Sequence, residues 1–341
     1  MAGKGDVRAG VKAGKPSGLG RRFTLYGKKR KKTKRKKRLM NKKKIVFTVD
    51  VDRDVAWHKV GCCESVSKHS MKEGKGKGEA CFDASYEGLK RLLEILKDER
   101  VPATFFFEGA TAREIDKREK RGNGKRKGRN KAKNAGLASL IPMTSEVAAH
   151  GYHHEDFTGS LTGVIIPRAQ KKAILKKTRV ELEKIFPQRR VEGFRAPYLN
   201  YDEELLELLA ETGYTYDSSA YSKAPVAEKK SFGKKGVYEI PLTEATDGAG
   251  KRMVSYLWPL MEGSRSANDY EAFAFRALAR SDFVVFATHS WHTHASIEGP
   301  RLEEETEMKL GVLRRLIQSF KEIGDFTTCR EIAFTKNRKL N

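Results

Sequence analysis

The sequence predicts an α/β protein of the (β/α) barrel class. Short apolar strands alternate with amphipathic helices from residue 44 to residue 335, the pattern of βαβ units with parallel strands. Seven or eight such units are present, enough for a barrel. Polar residues follow several of the strands, and chemistry in such barrels takes place at the C-terminal strand ends. These strand-end residues are Asp50, Asp52, His150, Arg195, Asp217 and His289.

Each element is predicted from its own pattern. Residues 45–50 are an apolar strand that ends on Asp50, and residues 85–99 carry leucine and isoleucine at helical spacing on one face. Residues 101–107 are almost continuously apolar, as expected for a strand that is covered on both faces. The same patterns predict strands at 146–150, 191–195, 214–218, 237–241, 253–258, 282–288 and 326–328, and helices at 169–185, 202–212, 270–279 and 303–323.

The formal net charge of +25 is concentrated in two segments. Residues 1–44 carry a net charge of +18 and residues 117–133 a net charge of +9, so the rest of the chain is close to neutral. Blocks of like charge repel themselves, which predicts a disordered tail and a surface loop with non-specific affinity for anions. Nucleic acid and an anionic glycan or membrane surface are alternative partners. Neither segment has interleaved aromatic residues, which argues against recognition of bases.

These patterns divide the chain into a catalytic body and two tails. No stretch is apolar enough for a transmembrane helix, and no apolar region follows the basic N-terminus as in a signal peptide, so we expect a cytoplasmic protein. The expected segments are a basic tail at 1–43, a barrel at 44–335 with a polar connection at 53–84 and a basic insert at 117–133, and a tail at 336–341.

The four cysteines do not form a recognisable disulfide framework, and reduced thiols are the simplest interpretation. A structural zinc site is the alternative, although its residues lack a known ligand spacing. That site would use Cys62, Cys63, Cys81 and His69.

Two polar motifs in the barrel have the composition of a metal site. Asp50 and Asp52 are two apart at a strand end and therefore point to one face. His150 and His154 are four apart, so one helical turn or a tight loop brings both imidazoles to one side. One carboxylate and two imidazoles form a facial triad that leaves metal positions open for water and substrate. The remaining carboxylate, Asp50, together with Arg195 and His289, provides the groups that a metal-dependent hydrolase needs around its ion.

Five motifs in order resemble those of the polysaccharide deacetylases, carbohydrate esterase family 4. They are TVDVD (48–52), HGYHH (150–154), RAPY (195–198), YDSS (216–219) and FATH (286–289). The segments VPATFFFEG and ETGYTYDSS are also similar to the family. The first motif has Asp-Val-Asp where Thr-Phe-Asp-Asp-Gly is more usual, which resembles an atypical subgroup with peptidoglycan deacetylase-like and allantoinase-like members.

The resemblance implies a distorted, incomplete (β/α)7–8 barrel and a role for each motif residue. The implied metal ligands are Asp52, His150 and His154. The implied catalytic residues are Asp50 as general base, Arg195 as the group that orients it, His289 as general acid, and Asp217 as the support of that histidine. The implied substrate and oxyanion residues are Pro197, Tyr198 and Trp291, with the Tyr198 backbone N–H on the oxyanion and Trp291 as a groove wall.

Several alternatives stay open within this site. His292 and His294 are rivals of His289 for the acid role, whereas His153 is expected to lie on the wrong side of its turn to bind the metal. Zinc is the expected ion, and cobalt, nickel or iron would also suit two histidines and one aspartate.

The leading hypothesis is a metal-dependent hydrolase that removes N-acetyl groups from an amino-sugar polymer or oligosaccharide. The first alternative is a small-molecule amide or imide hydrolase on the same fold. The second is a basic nucleic-acid-associated binding protein with an inactive barrel, which does not explain why a complete set of catalytic residues is present.

Overall fold

A computed structural model describes the part of the chain that contains the barrel. The described residues are 43–53, 82–124, 136–261, 264–294 and 301–335. The predicted basic tail, except its last residue, lies outside them, as do residues 54–81 of the polar connection and the tail at 336–341. The alternative zinc site on Cys62, Cys63, Cys81 and His69 also lies outside the described residues. Within the described residues, no helix has the length and apolar character needed to cross a membrane.

Strands and helices alternate along most of the described chain. The strands are β1 Lys44–Val51, β2 Thr104–Phe107, β3 Glu146–Ala149, β4 Gly193–Phe194, β5 Tyr216–Asp217, β6 Tyr221–Ser222, β7 Glu228–Phe232, β8 Lys235–Glu239, β9 Leu242–Thr246, β10 Arg252–Val254, β11 Phe283–His289 and β12 Asp325–Thr327. The α-helices are α1 Asp83–Asp98, α2 Gly109–Gly124, α3 Arg168–Ile185, α4 Glu203–Thr212, α5 Trp258–Met261, α6 Ala267–Arg280, α7 Arg301–Ile323 and α8 Cys329–Thr335.

The predicted α/β barrel class is confirmed, and the sheet is a curled half-barrel. Its strand order is β11-β1-β2-β3-β4-β5-β8-β7, with β12 beside β1, and every pairing is parallel except that of β7 with β8. A second sheet has the order β10-β9-β6. A parallel bridge between Tyr256 and Ala287 connects the end of β10 to β11.

The alternation of side chains along β1 separates the packed core from the site. Ile45, Phe47 and Val49 belong to the larger apolar cluster, which includes residues of the surrounding helices, whereas Val46 belongs to a second, smaller cluster. Because successive side chains point to opposite faces of a strand, Thr48 and Asp50 share the face of Val46. All of these residues are buried. The strand therefore presents its carboxylates on the face opposite the helical layer.

One predicted boundary needs correction. The insert at 117–133 was expected to be a surface loop, but its first part continues helix α2 as far as Gly124. Ion pairs one helical turn apart join Glu114 to Arg118 (3.3 Å) and Asp116 to Lys120 (2.6 Å). Such pairs stabilise a helix, so the high charge of this segment does not prevent it from folding. Residues 125–135 lie outside the described residues.

Candidate metal and catalytic site

Asp52, His150 and His154 come together at the C-terminal ends of the parallel strands. Asp52 follows β1 and His150 follows β3, and His154 lies four residues further on. One potential ligand atom from each of the three side chains lies within 4.8 Å of the other two, and all three residues are buried. The predicted ligand residues are therefore neighbours in the fold.

A tight loop, rather than a helical turn, brings the two histidines together. Gly151 and His154 both adopt a left-handed backbone conformation, with φ of 71° and 61°. The positive φ favours glycine at position 151, and a Cβ atom there would in addition lie 2.7 Å from Oε2 of Glu155. That carboxylate accepts hydrogen bonds from the backbone N–H groups of Tyr152 (2.8 Å) and His153 (2.9 Å), which fixes the loop.

Neighbouring groups orient two of the three ligand candidates. Nδ1 of His150 lies 2.9 Å from the carbonyl oxygen of Arg195, so a proton on Nδ1 leaves Nε2 available for a cation. The indole Nε1–H of Trp291 donates to Oδ1 of Asp52 at 2.9 Å. His153 instead approaches Arg53, with 3.3 Å between Nδ1 and the guanidinium, and stays outside the cluster as expected.

The electrostatics of the cluster fit a bound divalent cation. Burial lowers the pKa of His150, and it lowers the pKa of His154 to about 3, so both rings are neutral as metal ligands must be. Burial raises the pKa of Asp52, and a cation beside that carboxylate would offset the cost of keeping it ionised. Two neutral imidazoles and one carboxylate are a donor set that suits zinc and similar ions.

Asp50 forms a buried ion pair with Arg195 beside this cluster. The guanidinium Nη1 donates to Oδ1 of Asp50 at 2.8 Å and to Oγ1 of Thr48 at 2.8 Å. Its other nitrogens donate to the carbonyl oxygen (2.9 Å) and hydroxyl (3.1 Å) of Ser218. Burial alone would raise the pKa of Asp50, but the charge of Arg195 outweighs burial with help from nearby histidines, and the pKa falls to about 2. Asp50 is therefore ionised and can accept a proton.

His289 lies next to Asp50 because of the strand register. It ends β11, and its Cα is paired with that of Asp50 on the adjacent strand β1. Nε2 of His289 lies 3.7 Å from Oδ2 of Asp52, and burial lowers the pKa of the imidazole. Among the described residues, Nδ1 has no hydrogen-bond partner. The ring stacks on Trp291, with 4.4 Å between centroids.

Tyr256 is a residue of the site that no sequence motif indicated. Its hydroxyl donates to Oδ2 of Asp50 at 2.5 Å and lies 3.0 Å from Nε2 of His289. The segment 253–258 was predicted as a strand, but nothing in that pattern distinguishes this tyrosine from one that packs in a core. The register between β11 and the end of β10, which places it here, is a tertiary feature.

Asp217 does not support His289, contrary to the prediction. Its carboxylate accepts hydrogen bonds from the backbone N–H (2.9 Å) and hydroxyl (2.8 Å) of Ser219. The Ser219 hydroxyl oxygen in turn accepts the backbone N–H of Ala196 at 2.8 Å. Asp217 thus helps to fix the segment that contains Arg195, on the side of the base rather than the acid.

Trp291 and Pro197 were predicted as substrate residues, and the structure places both behind the surface of the cavity. Trp291 is only 3% exposed, and its indole binds Asp52. Pro197 is buried at the start of the turn that carries Tyr198, which has a φ of 59°. His292 is buried as well, and its Nδ1 accepts the backbone N–H of His289 at 3.3 Å.

A cavity of about 390 Å³ opens onto the site. Neither Trp291 nor Pro197, and neither of the rival histidines His292 and His294, belongs to its lining. Trp258, 38% exposed, forms part of the wall and meets the rings of His289, Trp291 and His292 at close to right angles. The lining residues are Asp50, His150, His154, Ala196, Tyr198, Leu199, Tyr221, Val254, Tyr256, Trp258, Pro259 and His289.

Comparison with known sequences finds deacetylases. The family model described as polysaccharide deacetylase matches residues 72–216. A peptidoglycan deacetylase of Helicobacter pylori is 26% identical over 175 residues, which are 51% of this chain and 48% of that protein. The peptidoglycan deacetylase-like protein FGM2 of Gibberella zeae is 28% identical over 178 residues, 52% of this chain and 43% of that protein. The chain therefore spans about half the length of the curated relatives it matches.

Comparison with solved structures shows the fold. A Mycobacterium smegmatis structure assigned to the polysaccharide deacetylases has a TM-score of 0.56 at 21% identity, covering 88% of this chain and 93% of that one. A Pseudomonas aeruginosa PAO1 structure with the same assignment has a TM-score of 0.56 at 15% identity, and the match covers 87% of this chain and 91% of that one. The structure of Puue allantoinase has a TM-score of 0.53 at 15% identity, and the match covers 85% of this chain and 88% of that one. Together the comparisons show that part of the chain is similar to polysaccharide deacetylases, and that its fold is the curled half-barrel of these solved structures.

Proposed function

We propose that this protein is a metal-dependent hydrolase that removes N-acetyl groups from an amino-sugar polymer or oligosaccharide. One observation carries the proposal: the carboxylate of Asp50, the imidazole of His289 and two of the three metal-ligand candidates, His150 and His154, line one cavity, and the third candidate, Asp52, lies within ligand distance of both histidines. The sequence matches to a peptidoglycan deacetylase and a peptidoglycan deacetylase-like protein support a glycan substrate. The Asp-Val-Asp spacing supports a place in the atypical subgroup of the family.

Asp52, His150 and His154 would hold the cation. A divalent ion in that position would polarise the amide carbonyl and make water more acidic, the two requirements that an uncatalysed amide hydrolysis meets poorly. Zinc is our first choice of ion, with cobalt, nickel or iron as alternatives.

The chain's own residues supply the proton transfers. Asp50 takes a proton from the attacking water, and Arg195 keeps its carboxylate ionised and aimed. The water oxygen bonds to the acetyl carbon, and the backbone N–H of Tyr198 stabilises the oxyanion. His289 gives a proton to the amide nitrogen as the carbon–nitrogen bond breaks. The products are acetate and a free amine, and one water is consumed. The proton that Asp50 accepted replaces the one that His289 donated, which restores both groups for the next turnover.

The cavity wall favours a sugar over a small planar amide. Trp258 offers an exposed apolar ring face at the cavity, and three neighbouring rings hold it in place. The apolar face of a pyranose ring can stack on such a surface, and a rigid aromatic loses little entropy on binding. A hydantoin-like amide would need polar groups around its edge instead. Tyr198, Tyr221 and Tyr256 also line the cavity.

Acetate release from a panel of N-acetylated oligosaccharides tests the proposal. We expect metal-dependent release by the wild type, and loss of both activity and stoichiometric metal binding in His150→Ala. Asp50→Asn should still bind metal but lose activity by roughly 10²–10⁴-fold, the usual contribution of a general base. His153→Ala is the matched control, since it removes a histidine of the same loop that lies outside the ligand cluster.

The other outcomes separate the alternatives. Release of product from small amides or imides only would move the function to the allantoinase-like alternative. Failure of the wild type to bind any divalent metal would overturn the catalytic proposal. The comparisons give no support to a nucleic-acid partner. An anionic partner of the basic tail stays a prediction on residues outside the described part of the chain.

A further inference from the structure

We propose that Tyr256 is a positioning residue that holds the general base and the general acid in register and keeps the proton of His289 on Nε2. This inference rests on the proposed hydrolase function. It gives to Tyr256 the role of supporting His289, which the sequence analysis had given to Asp217. The hydroxyl group lies between the two catalytic groups, 2.5 Å from Oδ2 of Asp50 and 3.0 Å from Nε2 of His289.

The direction of these two hydrogen bonds follows from the number of hydrogens. A phenol has one hydrogen to donate, and its oxygen can accept another. Asp50 is paired with Arg195 and has no proton to give, so the Tyr256 hydroxyl donates to Oδ2. The phenol oxygen can then only accept, and His289 must donate to it from Nε2. The imidazole proton is therefore on Nε2.

That nitrogen is the one closest to the metal-ligand candidates. Nε2 of His289 lies 3.7 Å from Oδ2 of Asp52, whereas Nδ1 has no partner among the described residues. A proton on Nε2 is thus next to the place where the amide would react. A proton on Nδ1 would have no hydrogen-bond acceptor in the part of the chain that the structure describes. The hydroxyl of Tyr256 determines which of the two nitrogens is protonated.

Both oxygens of the base are held as a result. Arg195 binds Oδ1 of Asp50, and Tyr256 binds Oδ2, so the carboxylate cannot rotate without losing one of the two bonds. The backbone of Tyr256 is itself fixed, because the hydroxyl of Tyr270 donates to its carbonyl oxygen at 2.7 Å. The tyrosine is therefore a rigid bridge between β1 and β11.

The first test measures the tautomer directly and needs no substrate. Long-range ¹H–¹⁵N spectra of ¹⁵N-histidine-labelled, zinc-loaded protein would distinguish the two tautomers, with His289→Gln used for assignment. We expect the Nε2–H form in the wild type and a shift toward the Nδ1–H form in Tyr256→Phe. An Nδ1–H form in the wild type, or an unchanged His289 signal in the variant, would overturn the proposal. Absence of deacetylase activity would not affect this test, so the two proposals fail separately.

The second test compares two tyrosine variants in an acetate-release assay. Tyr256→Phe should lower kcat by roughly 10- to 100-fold, as loss of an orienting group does at metal sites, with KM and zinc affinity within about threefold of wild type. Tyr86→Phe removes a similar phenol–carboxylate bond (2.6 Å, to Glu119) away from the cavity and should leave kcat unchanged. Equal effects of the two variants, or a parallel loss of zinc affinity in Tyr256→Phe, would contradict the positioning role.

Discussion

Two buried carboxylate sites at the C-terminal ends of the strands have opposite electrostatics. Asp50 on β1 is bonded to the guanidinium of Arg195, and its pKa falls to about 2. Asp217 on β5 and Glu239 on β8 are register partners, and burial raises the pKa of both, with their mutual repulsion adding to the rise at Glu239. Burial is common to both sites. A directly bonded guanidinium keeps the carboxylate of the first site ionised, whereas the two carboxyl groups of the second site, which face each other among the described residues, favour a shared proton.

The largest expected effect comes from removing that cation. Arg195→Met would leave Asp50 buried without its partner, which typically costs about 3–5 kcal/mol. Urea unfolding of the wild type and the variant measures the change. Asp50→Asn and the double variant complete a double-mutant cycle. The double variant should recover part of the stability that Arg195→Met loses. A loss below about 1 kcal/mol in Arg195→Met would show that Tyr256 and the histidines stabilise Asp50 without the arginine.

An intermediate effect is expected at the hydrogen bond that orients Asp52. Trp291→Phe keeps an aromatic ring against His289 but removes the indole N–H that Oδ1 of Asp52 accepts. Zinc affinity should fall by about 10-fold or more, the usual effect of losing an outer partner of a metal ligand. Isothermal titration calorimetry would measure it. Trp258→Phe is the control, because Trp258 lies on the cavity wall and its ring also packs against His289. An equal loss there would mean that packing is responsible.

The smallest effect is expected at the proton-sharing pair. The pKa of Glu239 is raised to about 10, above its unfolded value near 4.3, so its stabilising contribution is largest at low pH and is lost as the pH rises from about 4 toward 10. Glu239→Gln stays neutral, can still accept the Ala220 N–H, and can donate to Asp217. The variant should gain about 1 kcal/mol relative to wild type at pH 9. Chemical unfolding at pH 6 and pH 9 would check this, and parallel pH profiles would contradict it.

The sequence predicted those parts of the site that depend on local spacing. Strand alternation placed Asp50 and Asp52 on one face and a four-residue interval placed His150 beside His154, and the family resemblance then implied Asp52 as the third ligand. Tyr256 was missed because only the pairing of distant strands brings it to Asp50. The error at Asp217 has the same origin, since its partners depend on a two-residue strand and on the register of β5 with β8.

The barrel class could be predicted for a similar reason, because alternation of strands and helices is a local pattern. The second sheet could not, since of its strands only β10 overlaps a predicted strand, and strands of two to five residues give little periodic signal. That sheet leads into the segment that carries Tyr256 and Trp258. The part of the molecule that is hardest to predict therefore contributes Tyr256 and Trp258 to the cavity lining, and the sequence predicted neither as a site residue.

The pairing of β1 with β11 has a consequence for the order in which the site is completed during synthesis. Thr48 and Phe286 are hydrogen-bonded across 238 positions of sequence, so this contact forms only after almost the whole barrel has left the ribosome. Asp52, His150 and His154 all emerge earlier than His289. A nascent chain can therefore bring the cation-binding residues together before His289, the proposed acid, is in place. The onset of hydrolytic activity would then mark the pairing of β11 with β1.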